Sequence, residues 1–329
     1  MKAPFLLFRS AFLCLSISFC ANTLLSQQPP NPAIWHERVD VSSLNLMDGP
    51  GGPEHRPGSH FKFLKESKSG TAPKFEVEDE NGLKWKVKLG EEARPETAAA
   101  RLLWAAGYFV DEDYYRSEIH VDGMQRLSRG RNFVHKDGTV VNVRLERHPS
   151  GPDVTWSWRM NSFSGGREFN GLRVMMALIN NWDLKDINNA IYQQGDRMIY
   201  AVADLGASLG NTGNSFTRSK GVPKDYAHST FVQRIHGQYV DFVLHSRPFI
   251  LLFPFNVRNY FFRARMEKVV KDIPIEDARW IGQQLGGLSV TQIGDCFRSA
   301  GYAPADVEIY TEIVTERIET LRNLPAVPL

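Results

Sequence analysis

Cysteine is almost missing from this chain. Its 329 residues include three, of which Cys14 and Cys20 fall within the first 26 positions, leaving Cys296 alone in the rest. One thiol makes neither an intramolecular disulfide nor a cysteine metal cluster, so the fold depends on its core, which a chain of this length can bury. Excess charge of one sign is missing too. With 39 basic and 37 acidic residues the net charge is +2, so no global field favours nucleic acid or an anionic membrane. The nine histidines form no H-E-x-x-H pair, which argues against zinc, and no G-x-S-x-G elbow occurs. There is no internal repeat. The aromatic stretch Val154 to Phe163, VTWSWRMNSF, lacks the regular basic interleaving of a nucleic-acid surface and reads as lobe packing. No apolar run reaches the ~20 residues of a spanning helix. The longest apolar segment, Phe242 to Phe262, is broken by Arg247, Pro248 and Pro254 and reads as core helices.

What is present begins with a leader. Lys2 and Arg9 precede an apolar stretch from Ala11 to about Phe19, followed by small residues near Ala21 and Ser26. That is the layout of a secretory signal peptide, so residues 1–26 are read as a removed leader and the mature chain as periplasmic or extracellular, without a transmembrane segment. Phe19 is too bulky for a lipobox before Cys20. Residues 27–59 are Pro- and Gly-rich and read as a tether and turn material, with order beginning near His60.

From His60 the pattern has period two. FKFLKE, KFEVED and LKWKVKLG alternate apolar and polar residues between the breaks SKSGTAP and ENG, which predicts a three-stranded antiparallel meander. ARPETAAARLLWAAGY then predicts a helix with Pro95 early and Gly107 at its end. A strand pair is expected around YYRSEIHVDG and GTVVNVRLERH, and helices at GGREFNGLRVMMALINNW, IEDARWIGQQLG, SVTQIGDCFRSAG and PADVEIYTEIVTERIETLRNL. Strands then helices make an α+β protein of two lobes. The strand-rich N-lobe spans 60–150 with one long helix, and the helix-rich C-lobe spans 151–329.

Four pieces carry chemistry. Lys88 ends the third strand and Glu96 lies in the first turn of the Ala-rich helix, so the two can form an ion pair that aims an ammonium at phosphates. Lys86 shares its face, Glu91 and Glu92 are alternative partners, and a solvent-facing strand edge gives the same pattern. The run DLKDIN offers a carboxylate at Asp183, a cation at Lys185 and an amide at Asn188, the types that phosphoryl transfer needs; a capped turn uses them as well. Asp204 ends an apolar strand in MIYAVADLGASLG, and a hairpin turning at Gln194-Gly195-Asp196 is expected to bring Asn188 and Asp204 together as oxygen ligands. Ser67, Lys68 and Ser69, in the first break, can cover phosphates with amides and hydroxyls or form a plain hairpin loop.

DLKDIN followed by ADLG resembles the catalytic loop and metal-binding segment of the protein-kinase superfamily. VKLGEEARPE and DLGASLG resemble the phosphoinositide-kinase-like branch of it, over roughly Phe61 to Gly210. The resemblance implies a two-lobed kinase-like fold that binds ATP with Mg2+ or Mn2+ and transfers phosphoryl to an acceptor hydroxyl on a protein, sugar or lipid headgroup. In it, Lys88 would pair with Glu96 and touch phosphates. Asp183 would be the catalytic carboxylate and Lys185 would steady the transferring group, while Asn188 and Asp204 would hold the metal. Trp182 and Asn181 stand where kinases carry Arg and His, Leu205 replaces Phe, and no G-x-G-x-x-G or A-P-E run occurs. The other reading is a pseudokinase-like binding or scaffold module that keeps the cleft without turnover.

Overall fold

The structure, a computed structural model, describes residues 31–147, 154–212, 218–246 and 256–326. The leader expected at 1–26 and part of the apolar segment, 247–255, lie outside the described residues. The stretch expected to be a tether is folded from residue 31. Asn31–Ala33 forms strand β1, parallel to Arg197–Ile199 on a sheet edge, where Pro32 is tolerated. Ile34 and Leu46 are buried, the Trp35 indole donates to the Ala106 carbonyl at 2.7 Å, and Asp48 is buried against Arg56. Composition pointed to loose chain, but these apolar anchors outweigh it.

The meander forms as expected: β2 (Phe61–Ser67), β3 (Lys74–Asp79) and β4 (Lys84–Leu89) pair antiparallel. Strands β5 (Glu112–Asp122) and β6 (Thr139–Arg147) also pair antiparallel, and β6 lies against β4. What the sequence pattern did not reveal is closure. Phe61 and Lys62 of β2 pair in parallel with Val121 and Asp122 of β5, which completes a five-stranded barrel in the order β2-β3-β4-β6-β5 and leaves no free edge. Phe75, Val77, Trp85, Val87, Val143 and Leu145 fill it.

Helix α1 (Ala93–Ala105) follows β4. Its small side chains let it pack closely, and Ala98, Ala99, Leu102 and Leu103 enter a second core that also holds Cys296 and Phe297. That core belongs to the larger lobe. It is built by α2 (Arg167–Leu178), the hairpin β7 (Asn189–Gln194) and β8 (Arg197–Val202), and the short α3 (Pro223–Ala227). There follow β9 (Val232–His236), β10 (Tyr239–Phe242), α4 (Val257–Glu267), β11 (Ile273–Pro274), α5 (Ile275–Leu285), α6 (Val290–Arg298) and α7 (Pro304–Arg322). A capping box between Ser289 and Gln292 starts α6. Of the segment expected to form core helices, Phe242 is instead buried at the end of β10, and α4 exposes Phe261 and Phe262. The sheet β11-β10-β9 was not anticipated. Among the described residues no helix is long and apolar enough to cross a membrane.

Candidate active site

Alternation along β4 turns Trp85, Val87 and Leu89 into the barrel and Lys86 and Lys88 to the other face. The two lysines have different fates. Lys86 donates to Glu146 at 3.1 Å, whereas Lys88 is buried and its Nζ lies 2.8 Å from Glu96, 2.7 Å from Glu92 and 3.0 Å from Asp204. Glu91 is exposed, so the open choice of partner resolves to Glu96 and Glu92 together. Burial disfavours the charged ammonium, but Glu96, Asp204 and Glu92 outweigh it and hold the Lys88 pKa well above its ordinary value. Burial would likewise raise the Asp204 carboxyl; the charge and hydrogen bond of Lys88 instead bring it down to about 2.

Behind this pair lies a network that motif reasoning missed. Arg144 on β6 donates to Asp113 at 3.0 Å, pairs with Glu96 at 2.9 Å and also binds Glu146, all four residues being buried. Burial pushes Glu96 up while Arg144 and Lys88 pull it down. Arg144 and Lys88 thus grip Glu96 from two sides. No local motif encodes this, because its members come from three strands and a helix.

The polar stretch after α2 forms a braced loop. Asn180, in left-handed backbone at φ 54°, is buried and donates to the Gly210 carbonyl and Ser229 Oγ, both at 2.7 Å, while its own oxygen accepts from Arg317 at 2.9 Å. The Asn181 side-chain oxygen accepts from the Asp183 amide at 3.1 Å, and Asn189 donates to the Trp156 carbonyl at 2.9 Å. These asparagines, which read as turn formers in the sequence, therefore tie the loop to its surroundings. Lys185 Nζ lies 2.6 Å from Asp183 Oδ2, and Asn188 Nδ2 donates to the Asp183 carbonyl at 2.7 Å. The Asn188 carbonyl accepts from the amides of Ala203 and Asp204 at 3.0 and 3.2 Å, so the hairpin brings these two residues together as expected.

Lys88, Asp183, Lys185, Asn188 and Asp204 line one cleft between the lobes, with a cavity volume of about 270 Å³. Ser67, Lys68 and Ser69 are not part of its wall. The hydroxyl of Ser67, the last residue of β2, lies 3.1 Å from that of Ser69 on the exposed loop that follows, and the wall is made by the next residues, Gly70, Thr71 and Ala72. Four cations of the cleft escaped sequence reading: Lys74, Arg218, Lys220 and Arg263. Lys74 pairs in register with Lys88, a signal available in the alternation. Arg263 reaches Asp183 at 3.4 Å from 80 residues away, and Arg218 stacks 4.1 Å over the ring of Trp182; neither carries a local signal. The carboxylates of Glu92, Glu96 and Asp204 have oxygens within 4.8 Å of one another. All three close on Lys88 Nζ; of them the Asp204 side chain is the most exposed, at 40%, and its hard carboxylate oxygens suit a divalent cation such as Mg2+.

A closed strand-rich lobe supplies a lysine and its helix carboxylate, and a helix-rich lobe supplies the carboxylate, lysine and amide of a braced loop with a strand-end aspartate. The architecture is α+β and two-lobed. No family model and no curated protein matches the chain. Among solved structures it is similar to a Helicobacter pylori proinflammatory kinase, CtkA, at 11% identity and a TM-score of 0.36 over 80% of this chain and 99% of that one. It is also similar to the Golgi casein kinase, at 11% identity and a TM-score of 0.31 over 82% and 76% of the two chains. The form of that kinase with Mn/ADP bound gives 10% identity and a TM-score of 0.28 over 81% and 74%.

Proposed function

We propose that the protein is an exported kinase-like phosphotransferase that moves the γ-phosphoryl group of ATP to an acceptor hydroxyl. The observation that carries this reading is the convergence on Lys88 Nζ of Glu96 from one lobe and Asp204 from the other, at 2.8 and 3.0 Å. An ammonium so held is a fixed charge for phosphates. Lys74 strengthens it: like charges in register repel, burial and the charges of Lys86 and Lys88 lower its pKa, and a polyphosphate between Lys74 and Lys88 relieves the repulsion. The wall at Gly70 to Ala72 would close over the same phosphates.

Asp204 and Asn188 would hold Mg2+ or Mn2+, which when bound supplies neutralisation of phosphate charge. The acceptor oxygen attacks the γ-phosphorus, the bond from that phosphorus to the bridging oxygen breaks, ADP leaves, and the acceptor proton passes to the Asp183 carboxylate. Lys185 and Arg263, both against Asp183, would neutralise charge on the transferring group. Export follows from the leader pattern at 1–26, and the acceptor class is a protein, sugar or lipid hydroxyl.

The experiment is a thermal shift of the mature chain with ATP, with and without Mg2+ or Mn2+, beside Asp204→Ala, followed by transfer of labelled phosphoryl by wild type and Asp183→Ala. A metal-dependent shift of roughly the size set by mass action, about 2.7 kcal/mol at a hundredfold excess of ligand, is expected and should vanish in Asp204→Ala. Transfer should vanish in Asp183→Ala. A metal-dependent shift with no transfer from wild type would make the protein a nucleotide-binding module instead.

A further inference from the structure

Helix α4 has two faces of different character. The inner one carries Arg263 to Asp183 at 3.4 Å and buries Met266 and Glu267, the latter accepting from the Ser246 amide at 3.0 Å. The outer one is open. Val257 is 40% exposed, Phe261 59% and Phe262 45%, and Arg258 and Arg265 on the helix and Lys268 just beyond it are exposed among them. Spacings of three and four residues put 257, 261 and 265, and 258, 262 and 265, on one side of the helix. The patch continues past the helix, because Phe262 and Arg265 line a groove of about 360 Å³ together with Arg159, Met160 and Ile187, of which Met160 is 85% and Ile187 77% exposed. Exposed apolar side chains are ordinary singly; five in one patch mark a contact surface. Its charge is one-sided. The whole chain balances 39 basic against 37 acidic residues, yet among the described residues the outer face of α4 has no carboxylate and the groove has Asp186 alone.

We infer that this face docks on a bilayer surface that carries anionic lipid, with its phenylalanines in the headgroup layer and its arginines and lysine on the lipid phosphates. The inference goes beyond phosphoryl transfer and does not depend on it, since it concerns where the molecule sits. Among the described residues no helix is long and apolar enough to cross a membrane, so the association is peripheral. The mixture of side chains selects the occupant. A protein interface has a core depleted of charge, whereas here cations alternate with phenylalanines along one convex helix face. An interfacial helix has that composition: apolar rings enter the boundary of headgroups and acyl chains, while the stems of Arg and Lys lie along them and carry the charges out to the phosphates. Symmetry argues against a second copy as the occupant. A twofold contact sets the same patch against itself, and Arg258, Arg265 and Lys268 would then meet like charges. Lys185 and Ile187 line both groove and cleft, so a docked molecule holds the mouth of its cleft beside the lipid surface.

The test is sedimentation of the mature chain with vesicles of phosphatidylcholine, with and without phosphatidylglycerol. Binding to the anionic vesicles should exceed binding to the neutral ones by about tenfold or more and should fall with added salt. Phe261→Glu should weaken it by about tenfold or more, the ratio for one phenylalanine withdrawn from an apolar phase. Arg258→Glu should weaken it by about fivefold or more, for one cation lost at the surface. Lys136→Glu makes the same charge change at an exposed position in the turn before β6 and should bind as wild type does. All three variants should keep the wild-type Tm; where Phe261→Glu does not fold, the milder Phe261→Ala should show the loss. Equal binding to the two kinds of vesicle, binding to neither, an equal loss in Lys136→Glu, or binding that survives both α4 variants overturns the inference. So does a dimer that Phe261→Glu dissolves in a chain that ignores vesicles. Each of these outcomes leaves the phosphotransferase reading as it stands, because none of them measures nucleotide binding or transfer.

Discussion

Lys88 Nζ and Asp204 Oδ1 lie 3.0 Å apart, joining the barrel of one lobe to the strand end of the other. The same ammonium touches Glu92 and Glu96, so three carboxylates meet at one ammonium, with Arg144 also on Glu96 and Lys220 also on Glu92. The arrangement is poised rather than closed: a cation entering the cleft can take over part of the carboxylate charge that Lys88 now compensates, which frees the ammonium for an anion. Helix α1, which carries Glu96, is at the same time packed into the core of the larger lobe. Its position relative to Asp204 is therefore set by apolar packing as well as by charge.

Removing Lys88 separates these contributions. Lys88→Met leaves Glu92, Glu96 and Asp204, with oxygens within 4.8 Å of one another, without their ammonium. Breaking a buried pair from one side costs about 3–5 kcal/mol, so a loss in that range is expected in chemical denaturation at neutral pH. Adding Asp204→Ala to Lys88→Met should restore part of it, because one repelling carboxylate is gone. Equal stability of wild type and Lys88→Met would show that the cation is not the centre of this network.

Gly206 follows from the same geometry. A Cβ built on it would lie 2.7 Å from the Cβ of Glu92 and 3.0 Å from its Cγ, and Glu92 is held by Lys88 and by Lys220 at 2.6 Å. Gly206→Ala must push the strand-end segment or α1 apart. A destabilisation of about 1–3 kcal/mol is expected, together with a weaker metal-dependent shift with ATP. A variant with wild-type stability and an unchanged shift would mean that the two elements separate freely.

Much of this was legible, and what was not has a physical reason. Period-two alternation announced β2, β3 and β4 because each strand has one apolar face, and the spacing of DLKDIN and ADLG was enough to foresee that Asn188 and Asp204 would meet. Barrel closure between β2 and β5 involves two register pairs, too few to leave a pattern in either strand. Strands β9, β10 and β11 have five, four and two residues, shorter than alternation can mark. The segment from residue 31 looked loose by its Pro and Gly content because the residues that anchor it find their partners about 70 positions away, as Trp35 finds Ala106. Arg144 and Arg263 were invisible for the same reason.

Asn180 gives a test that isolates backbone strain from hydrogen bonding. It is buried at φ 54° and its side chain serves Gly210, Ser229 and Arg317. Asn180→Gly keeps the backbone and loses the bonds; Asn180→Ala loses both. Each is expected to cost roughly 1–3 kcal/mol for the unpaired groups, and alanine should be worse than glycine by about 1 kcal/mol for the left-handed conformation. Identical losses in denaturant titrations would remove the strain from the account.

His36 supplies a pH dependence with a definite sign. Its ring packs 5.0 Å from that of Phe109 and its amide donates to the Gly107 carbonyl at 3.0 Å, holding the amino-terminal segment to the end of α1. Burial first, then the charges of Arg38 and Arg197, lower its pKa from 6.5 to about 4. The folded protein thus keeps the ring neutral where the unfolded chain takes up a proton. Between pH 6.5 and about 4 the unfolded state binds more protons, so stability falls with acidification. The contribution is complete above pH 6.5 and lost as pH drops through about 4. Wild type and His36→Gln should therefore differ in how far Tm falls between pH 7.5 and pH 5, with the larger fall in wild type, since other titrating groups are common to both. Parallel Tm curves for the two proteins would place His36 in solvent rather than in the packed segment.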